Sequence, residues 1–262
     1  MLNRHNKLPR SIVYYRDLIY ELVRRDLKVQ YEGTFLGFAW TLILPFLQLG
    51  IFYFLFKVIL NVESPRFTSF VFIGIVSYGW FQTSIIKAAG SASSNRELAL
   101  RPGFPITLLP FIAVASSMLH FMFTFPLIIL IVLLEEHNLP AAVFFMPLVM
   151  AVQFTLFLGI GYFLAIVNIV FRDTKHILDT LLRLFMFLSP VFYDHKLVPE
   201  QYRPLYELNP LVTILQSYRD IILQGIMPPL YSLSVLFLFS MFILCIGFWI
   251  YKKQSYRFLE EL

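Results

Sequence analysis

Charge is scarce in this sequence. Only 14% of its 262 residues are Asp, Glu, Lys or Arg, where a soluble domain carries about 25%. Cysteine is scarcer still: Cys245 stands alone in an apolar run, which excludes a disulfide or a thiolate metal cage within one chain. No G-x-x-x-x-G-K-[ST] loop occurs, so the chain cannot cradle nucleotide phosphates in that way. H-E-x-x-H, G-x-S-x-G and cysteine-pair spacings are missing as well. His5, His120, His137, His176 and His195 are scattered and suggest no metal cluster. These absences shift the expectation away from enzymes and towards a transporter or channel.

Apolar surface is what the sequence has in abundance. Hydrophobic residues make up 58% of the chain, and 29 positions are Phe. A soluble core of this length cannot hide so much, whereas lipid accepts it. The net charge of +5 would suit nucleic acid, but the basic residues flank apolar runs instead of forming one patch with stacking rings. No nucleic-acid partner is expected. The N-terminus shows no cleavable signal pattern and is taken as mature.

The expected fold class is an all-α integral membrane protein, one transmembrane domain over 1–262. Six stretches approach the roughly 20 residues that cross a bilayer as helix: 35–60, 69–89, 106–134, 141–170, 177–193 and 230–251. The fifth, within HILDTLLRLFMFLSPVFY, contains Asp179, Arg183 and Pro190; the charged pair stands four apart on one helical face and can neutralise itself. Six crossings place both termini on one side, with Arg4, Lys7, Arg10, Arg16, Arg24, Arg25, Lys28, Lys87, Arg96, Arg101, Arg172, Lys175, Lys252, Lys253 and Arg257. The other side holds Arg66, Lys196, Arg203 and Arg219. The positive-inside rule makes the first side cytoplasmic.

Ahead of the first span, SIVYYRDLIYELVRRDLKVQY gathers Ile12, Tyr15, Ile19, Leu22 and Val23 near one face, with Arg16, Glu21, Arg24, Arg25 and Lys28 largely elsewhere. This predicts an amphipathic interface helix over 10–31, its basic groups near anionic head groups of membrane lipid. Gly33 permits the bend into the first span. Between spans two and three, SASSNRELALRPGFP offers Asn95 as an N-cap, RELAL as a short helix and Pro102–Gly103 as its stop. Inside the spans, Gln48 and Gln153 are expected to bond neighbouring helices, and no chain of titratable groups suits a proton-coupled carrier. Aromatics run through the depth of spans one and five. Trp40, Phe46, Tyr53, Phe187 and Tyr193 are candidates to stack against sugar rings, beside the alternative of ordinary packing and interface-belt residues.

The segment 194–229 is too apolar for a free loop, and Pro199, Pro204 and Pro210 break it into pieces too short to cross. Its later part spaces Leu211, Ile214, Leu215, Tyr218, Ile221 and Ile222 along one stripe. That predicts a piece dipping into the outer leaflet, with Arg219 and Asp220 at its polar edge.

The ordered series RDLKVQYEGTFLGFAWTLILPFLQ (25–48), NRELALRPGFP (95–105), FRDTKHILDTLLRLFMFLSPVFY (171–193), NPL (209–211) and Tyr218–Arg219 resembles the permease subunit of ABC-2 type exporters, in the polysaccharide and O-antigen branch. The resemblance implies a homodimer joined to two copies of a separate ABC ATPase. ATP and Mg then belong to that partner, leaving this chain with no cofactor and no catalytic residue. It implies that 91–104 is the coupling helix, with Asn95, Arg96, Glu97, Leu98 and Leu100 seated in the ATPase. It also implies re-entrant helices in 194–229 that gate the outer end, around Pro190, Asn209, Pro210, Tyr218 and Arg219. The implied cargo is a polyprenyl-pyrophosphate-linked polysaccharide (O-antigen, as in lipopolysaccharide) crossing the bacterial inner membrane from the cytoplasmic side. Capsular and teichoic acid exporters, and drug or lipid exporters of the same fold, stay open. The competing class is a membrane glycan or prenyl-phosphate transferase. Against it, the cytoplasmic loops offer only Arg172, Asp173 and Lys175 beside the Asn95–Glu97 group.

Overall fold

The computed structural model describes residues 10–59, 61, 66–136, 139–171 and 173–254. Arg4, Lys7, His5, His137, Arg172, Arg257 and the end of the first expected span at 60 lie outside the described residues. Among the described residues all regular structure is helical. The chain runs α1 (Arg10–Tyr31), α2 (Trp40–Tyr53, continued as a π turn over Phe54–Ile59), α3 (Phe67–Ala89), α4 (Ser91–Ser94), α5 (Arg96–Ala99) and α6 (Leu108–Glu136). Then come α7 (Met146–Val170), α8 (Thr174–Leu188), α9 (Arg203–Glu207), α10 (Pro210–Arg219, continued as a π turn over Asp220–Gln224) and α11 (Leu230–Gln254).

Among the described residues, five stretches are long and apolar enough to cross a membrane: Trp40–Ile59, Phe67–Ala89, Leu108–Glu135, Ala141–Val170 and Leu230–Gln254. This is a multi-pass, all-α membrane protein. Helix α3 is its axis, packed by α2, α6, α7, α8 and α10. By contrast α2 is almost wholly on the outside, with 6% of its apolar window buried against 72% for α3. The most extensive helix pair is α7 with α11, and glycine makes it possible. A Cβ at Gly159 would fall 2.9 Å from Leu244 N, and one at Gly247 would fall 3.0 Å from Gly159 O. Helices in lipid gain little from apolar burial against each other, so close backbone approach has to supply the packing. Gly159→Val is therefore expected to lower the thermal unfolding temperature of the purified protein, at a cost typical of overpacking, about 1–3 kcal/mol. Gly79→Ala, whose Cβ meets nothing within 4 Å, should leave it unchanged.

Helix α1 is amphipathic as expected, but its apolar face is used differently. Leu22 and Val23 pack on Ile112 of α6, joined by Leu18, Ile19 and Leu27, while Tyr15 remains exposed. A protein surface has taken a large share of the stripe read as lipid-facing. Gly33 and Gly37, both at positive φ, then turn the chain into α2, a conformation that costs glycine little.

The fifth expected span, 177–193, is not one continuous helix. Helix α8 has 15 residues, about 22 Å, short of the roughly 30 Å of hydrocarbon. It stops at Leu188 because Ser189 precedes Pro190 and takes an extended conformation (φ −104°, ψ 151°), as residues before proline do. Nevertheless α8 and the break after it follow α3 in the opposite sense from Gly90 to Gly74. A Cβ at Gly90, at one end of α3, would approach Lys175 Cδ to 3.7 Å. Farther along, the Tyr78 hydroxyl donates to the Leu182 carbonyl, and beyond the break the Val191 carbonyl lies against Gly74.

Candidate transport pathway and its two ends

One end of the bundle collects α1, α4, α5, the close of α3 and the C-terminal turn of α11. Here the expected 91–104 helix is two separate turns, α4 and α5, broken at Asn95 (φ −121°, ψ 38°). Asn95 does stand at the N-cap position of α5 but makes no side-chain cap. Its amide instead donates to the Ser91 carbonyl (3.0 Å) and its oxygen accepts from Arg25 of α1 (2.5 Å). A second tie joins Lys87 of α3 to Asp26 (3.2 Å) and Gln30 (2.8 Å) of α1. Leu98 packs into the cluster around Leu22 and Val23. Of the five residues expected to meet a partner, Asn95 and Leu98 are thus turned to α1, while Arg96, Glu97 and Leu100 are exposed.

The opposite end is built around Arg219. Helix α10 starts as its sequence predicts, with Asn209 Oδ1 accepting from Leu211 N (3.0 Å) and Pro210 in the first turn, the arrangement that satisfies an orphan amide and tolerates a missing one. Asn209 Nδ2 also donates to Ser189 Oγ (3.1 Å), tying α10 to the break after α8. The stripe Leu211, Ile214, Leu215, Tyr218, Ile221 and Ile222 is buried in the protein core; it does not face the outer leaflet. The Tyr218 hydroxyl donates to Gln153 Oε1 (2.6 Å), and Gln153 Nε2 donates to the Ser77 carbonyl (3.2 Å). Gln153 therefore links helices as expected, whereas Gln48 is exposed.

Arg219 corrects the sequence reading most sharply. It is 2% exposed, not at a polar edge. Its Nη2 donates to the carbonyls of Val191 (2.9 Å) and Phe70 (3.3 Å), and its guanidinium lies 3.5 Å over the Phe70 ring. Broken backbone at membrane depth persists only where protein covers it and pairs its polar groups. Ser189, Pro190, Val191 and Phe192 are all buried, and Arg219 supplies the donor for Val191. Burial lowers the Arg219 pKa, and the carboxylates of Asp194 and Asp220 oppose that. Sequence reasoning missed Gly74, where a Cβ would fall 2.5 Å from Val191 O and 3.0 Å from Arg219 Nη2. Nothing in the sequence separates Gly74 from the unobstructed Gly79 on the same helix.

Between the two ends lie the aromatic candidates. Trp40, Phe46, Tyr53 and Phe187 are 37%, 41%, 42% and 58% exposed. Phe46 stacks on Phe72 of α3, and Phe192, in the break after α8, takes Phe52 of α2 on one side (4.0 Å between centroids) and Phe187 of α8 on the other (5.9 Å). Tyr193 is held in place, donating to the Phe187 carbonyl (3.1 Å) and bonded to the Tyr206 hydroxyl (3.0 Å). The expected pair Asp179–Arg183 forms at 2.7 Å on α8. The candidates do not enclose a channel within one chain. Trp40, Phe46, Tyr53 and Phe187 lie along exposed faces of α2 and α8, and Tyr193 is half-buried in the segment after α8.

Comparison with known proteins agrees with this architecture. Residues 17–223 match the family described as ABC-2 type transporter. The chain is 31% identical over 258 residues to an O-antigen export system permease protein of Myxococcus xanthus, covering 98% of this chain and 99% of that one. It is 28% identical to the protein of the same description in Klebsiella pneumoniae, covering 98% and 99%. It is 23% identical to a polysialic acid transport protein of Escherichia coli, covering 92% and 94%.

Proposed function

The chain belongs to the ABC-2 type transporter family, and from that premise we propose that it is the membrane permease of an ATP-driven polysaccharide exporter of the O-antigen type. The observation that carries this is the end-to-end similarity to O-antigen export permeases. Hydrolysis of ATP, with its Mg, falls to two copies of a separate ATPase, because this chain has no P-loop. Exposed Arg96, Glu97 and Leu100 are the residues that meet it.

Six crossings complete the picture. Helix α8 and its Arg219-capped break make the fifth crossing, and this is supported by the way α8 follows α3 from Gly90 to Gly74. Both termini are then cytoplasmic and the membrane is the bacterial inner membrane. Two copies pair so that the exposed α2 and α8 faces of each enclose the path. The cargo is a polysaccharide on a polyprenyl pyrophosphate, and short helices α9 and α10 close the outer end.

Deleting the gene tests the reading. Surface polysaccharide should disappear and lipid-linked polymer accumulate inside, restored by the wild-type chain. Tyr53→Ala with Phe187→Ala, at exposed positions, should restore export several-fold less well while the protein inserts at normal levels. Surface polymer that is unchanged by the deletion would remove the proposal.

A further inference from the structure

A cavity of about 150 Å³ opens where α1, the end of α3, α4 and the start of α8 converge. Its wall includes Arg25, Asp26, Lys87, Ser91, Asn95 and Lys175. The charges do not balance. Asp26 is taken by Lys87 at 3.2 Å, Arg25 is bonded to the neutral amide of Asn95, and Lys175 has no hydrogen-bond or ion-pair partner among the described residues. Three cations thus face one carboxylate across a small space. Ser91, 3% exposed, adds a hydroxyl that has no hydrogen-bond partner. Arg25 and Lys175 are exposed at the mouth of this cavity while Ser91 is buried in its wall, and a set of donors with this excess of positive charge is complemented by an anion with several acceptor oxygens.

We propose that this cavity binds the phosphate group of a membrane lipid, held by Arg25, Lys175 and Ser91, with Lys87 kept in place by Asp26. The cavity lies at the end of a membrane-crossing helix and beside the amphipathic α1, which is the level of lipid phosphates. Two sources share the chemistry: the pyrophosphate of a lipid-linked cargo and the head group of an anionic bilayer lipid. The site also bridges α1 and the α4–α5 turns, so its occupant would stiffen the connection between the proposed ATPase contact and the start of α2. The inference rests on the membrane-permease reading for its location, but not on the identity of the cargo.

Native mass spectrometry of the purified chain tests it without measuring export, so that its failure is distinct from failure of the permease reading. The probes are a polyprenyl pyrophosphate, phosphatidylglycerol and, as uncharged control, diacylglycerol. Lys175→Gln removes an exposed side chain that has no partner among the described residues and is expected to leave folding intact; Arg25→Gln with Lys175→Gln is the stronger variant. Losing charge-assisted hydrogen bonds should weaken binding about tenfold or more in the double variant. Weakening confined to the pyrophosphate assigns the site to cargo; weakening of phosphatidylglycerol assigns it to the bilayer. The proposal is overturned if neither phosphate probe is affected. It is also overturned if diacylglycerol binds equally well, or if Lys252→Gln with Lys253→Gln, elsewhere at this end of the bundle, weakens the probes to the same degree.

Discussion

Export should fall to background when Gly74 becomes valine, and the purified variant should unfold at a distinctly lower temperature. Even the first added carbon would lie 2.5 Å from a backbone oxygen, that of Val191, and backbone cannot swing aside as a side-chain tip can. Overpacking of this kind costs about 1–3 kcal/mol and occasionally more. Here it also pushes the break after α8 away from Arg219. Arg219→Leu attacks the same junction from the other side, leaving the Val191 and Phe70 carbonyls without the donor they now share; a buried polar group left unpaired costs about 1–3 kcal/mol. Arg219→Lys separates assembly from stability. A lysine keeps the charge but lacks the planar fork that reaches two carbonyls while lying over a ring. It should therefore retain membrane insertion and lose most of the export. Wild-type unfolding and export in Gly74→Val would show that the α3–α8–α10 junction is loose enough to matter little.

The second large effect is expected at α5. Reversing both exposed charges, with Arg96→Glu and Glu97→Lys, should abolish export and co-purification of the ATPase while leaving thermal unfolding of the permease unchanged. Neither side chain forms an ion pair among the described residues, so the fold loses nothing. Leu98→Ala should behave the opposite way. That side chain packs beside Leu22 and Val23, and truncating it is expected to lower stability and loosen α1 before any effect on the partner. Normal export with both charges reversed would mean that the ATPase is seated elsewhere.

The contrast between Glu97 and Leu98 also marks how far the sequence could be read. Neighbours in a motif look alike as candidates, and only the position of α1 decides which of them faces inward. The short-range features were legible. Asn209 and Pro210 start α10 because a side-chain oxygen satisfies an amide two residues on. Asp179 and Arg183 meet because four residues make one helical turn. The apolar runs fixed the crossing helices because an unpaired peptide group in hydrocarbon is too costly for any irregular chain. The split between apolar and charged residues likewise identified α1 as amphipathic.

What the stripe on α10 touches was beyond the sequence. Lipid and protein interior are equally apolar, so a pattern of Leu, Ile and Tyr states that water is avoided but not what replaces it. The stripe turned out to fill the core. The same ambiguity hid Arg219, which as a residue type belongs at a polar edge and is buried here only because the break at Ser189 and Pro190 leaves a carbonyl that needs a donor. Composition and periodicity by themselves determined that this is a helical membrane protein with an amphipathic helix before its first span. Tertiary structure alone decided that α8 stops short of a membrane's thickness, that an arginine and a glycine hold the break after it, and that a basic cavity lies beneath α1, because each depends on backbone distances between segments far apart in the chain.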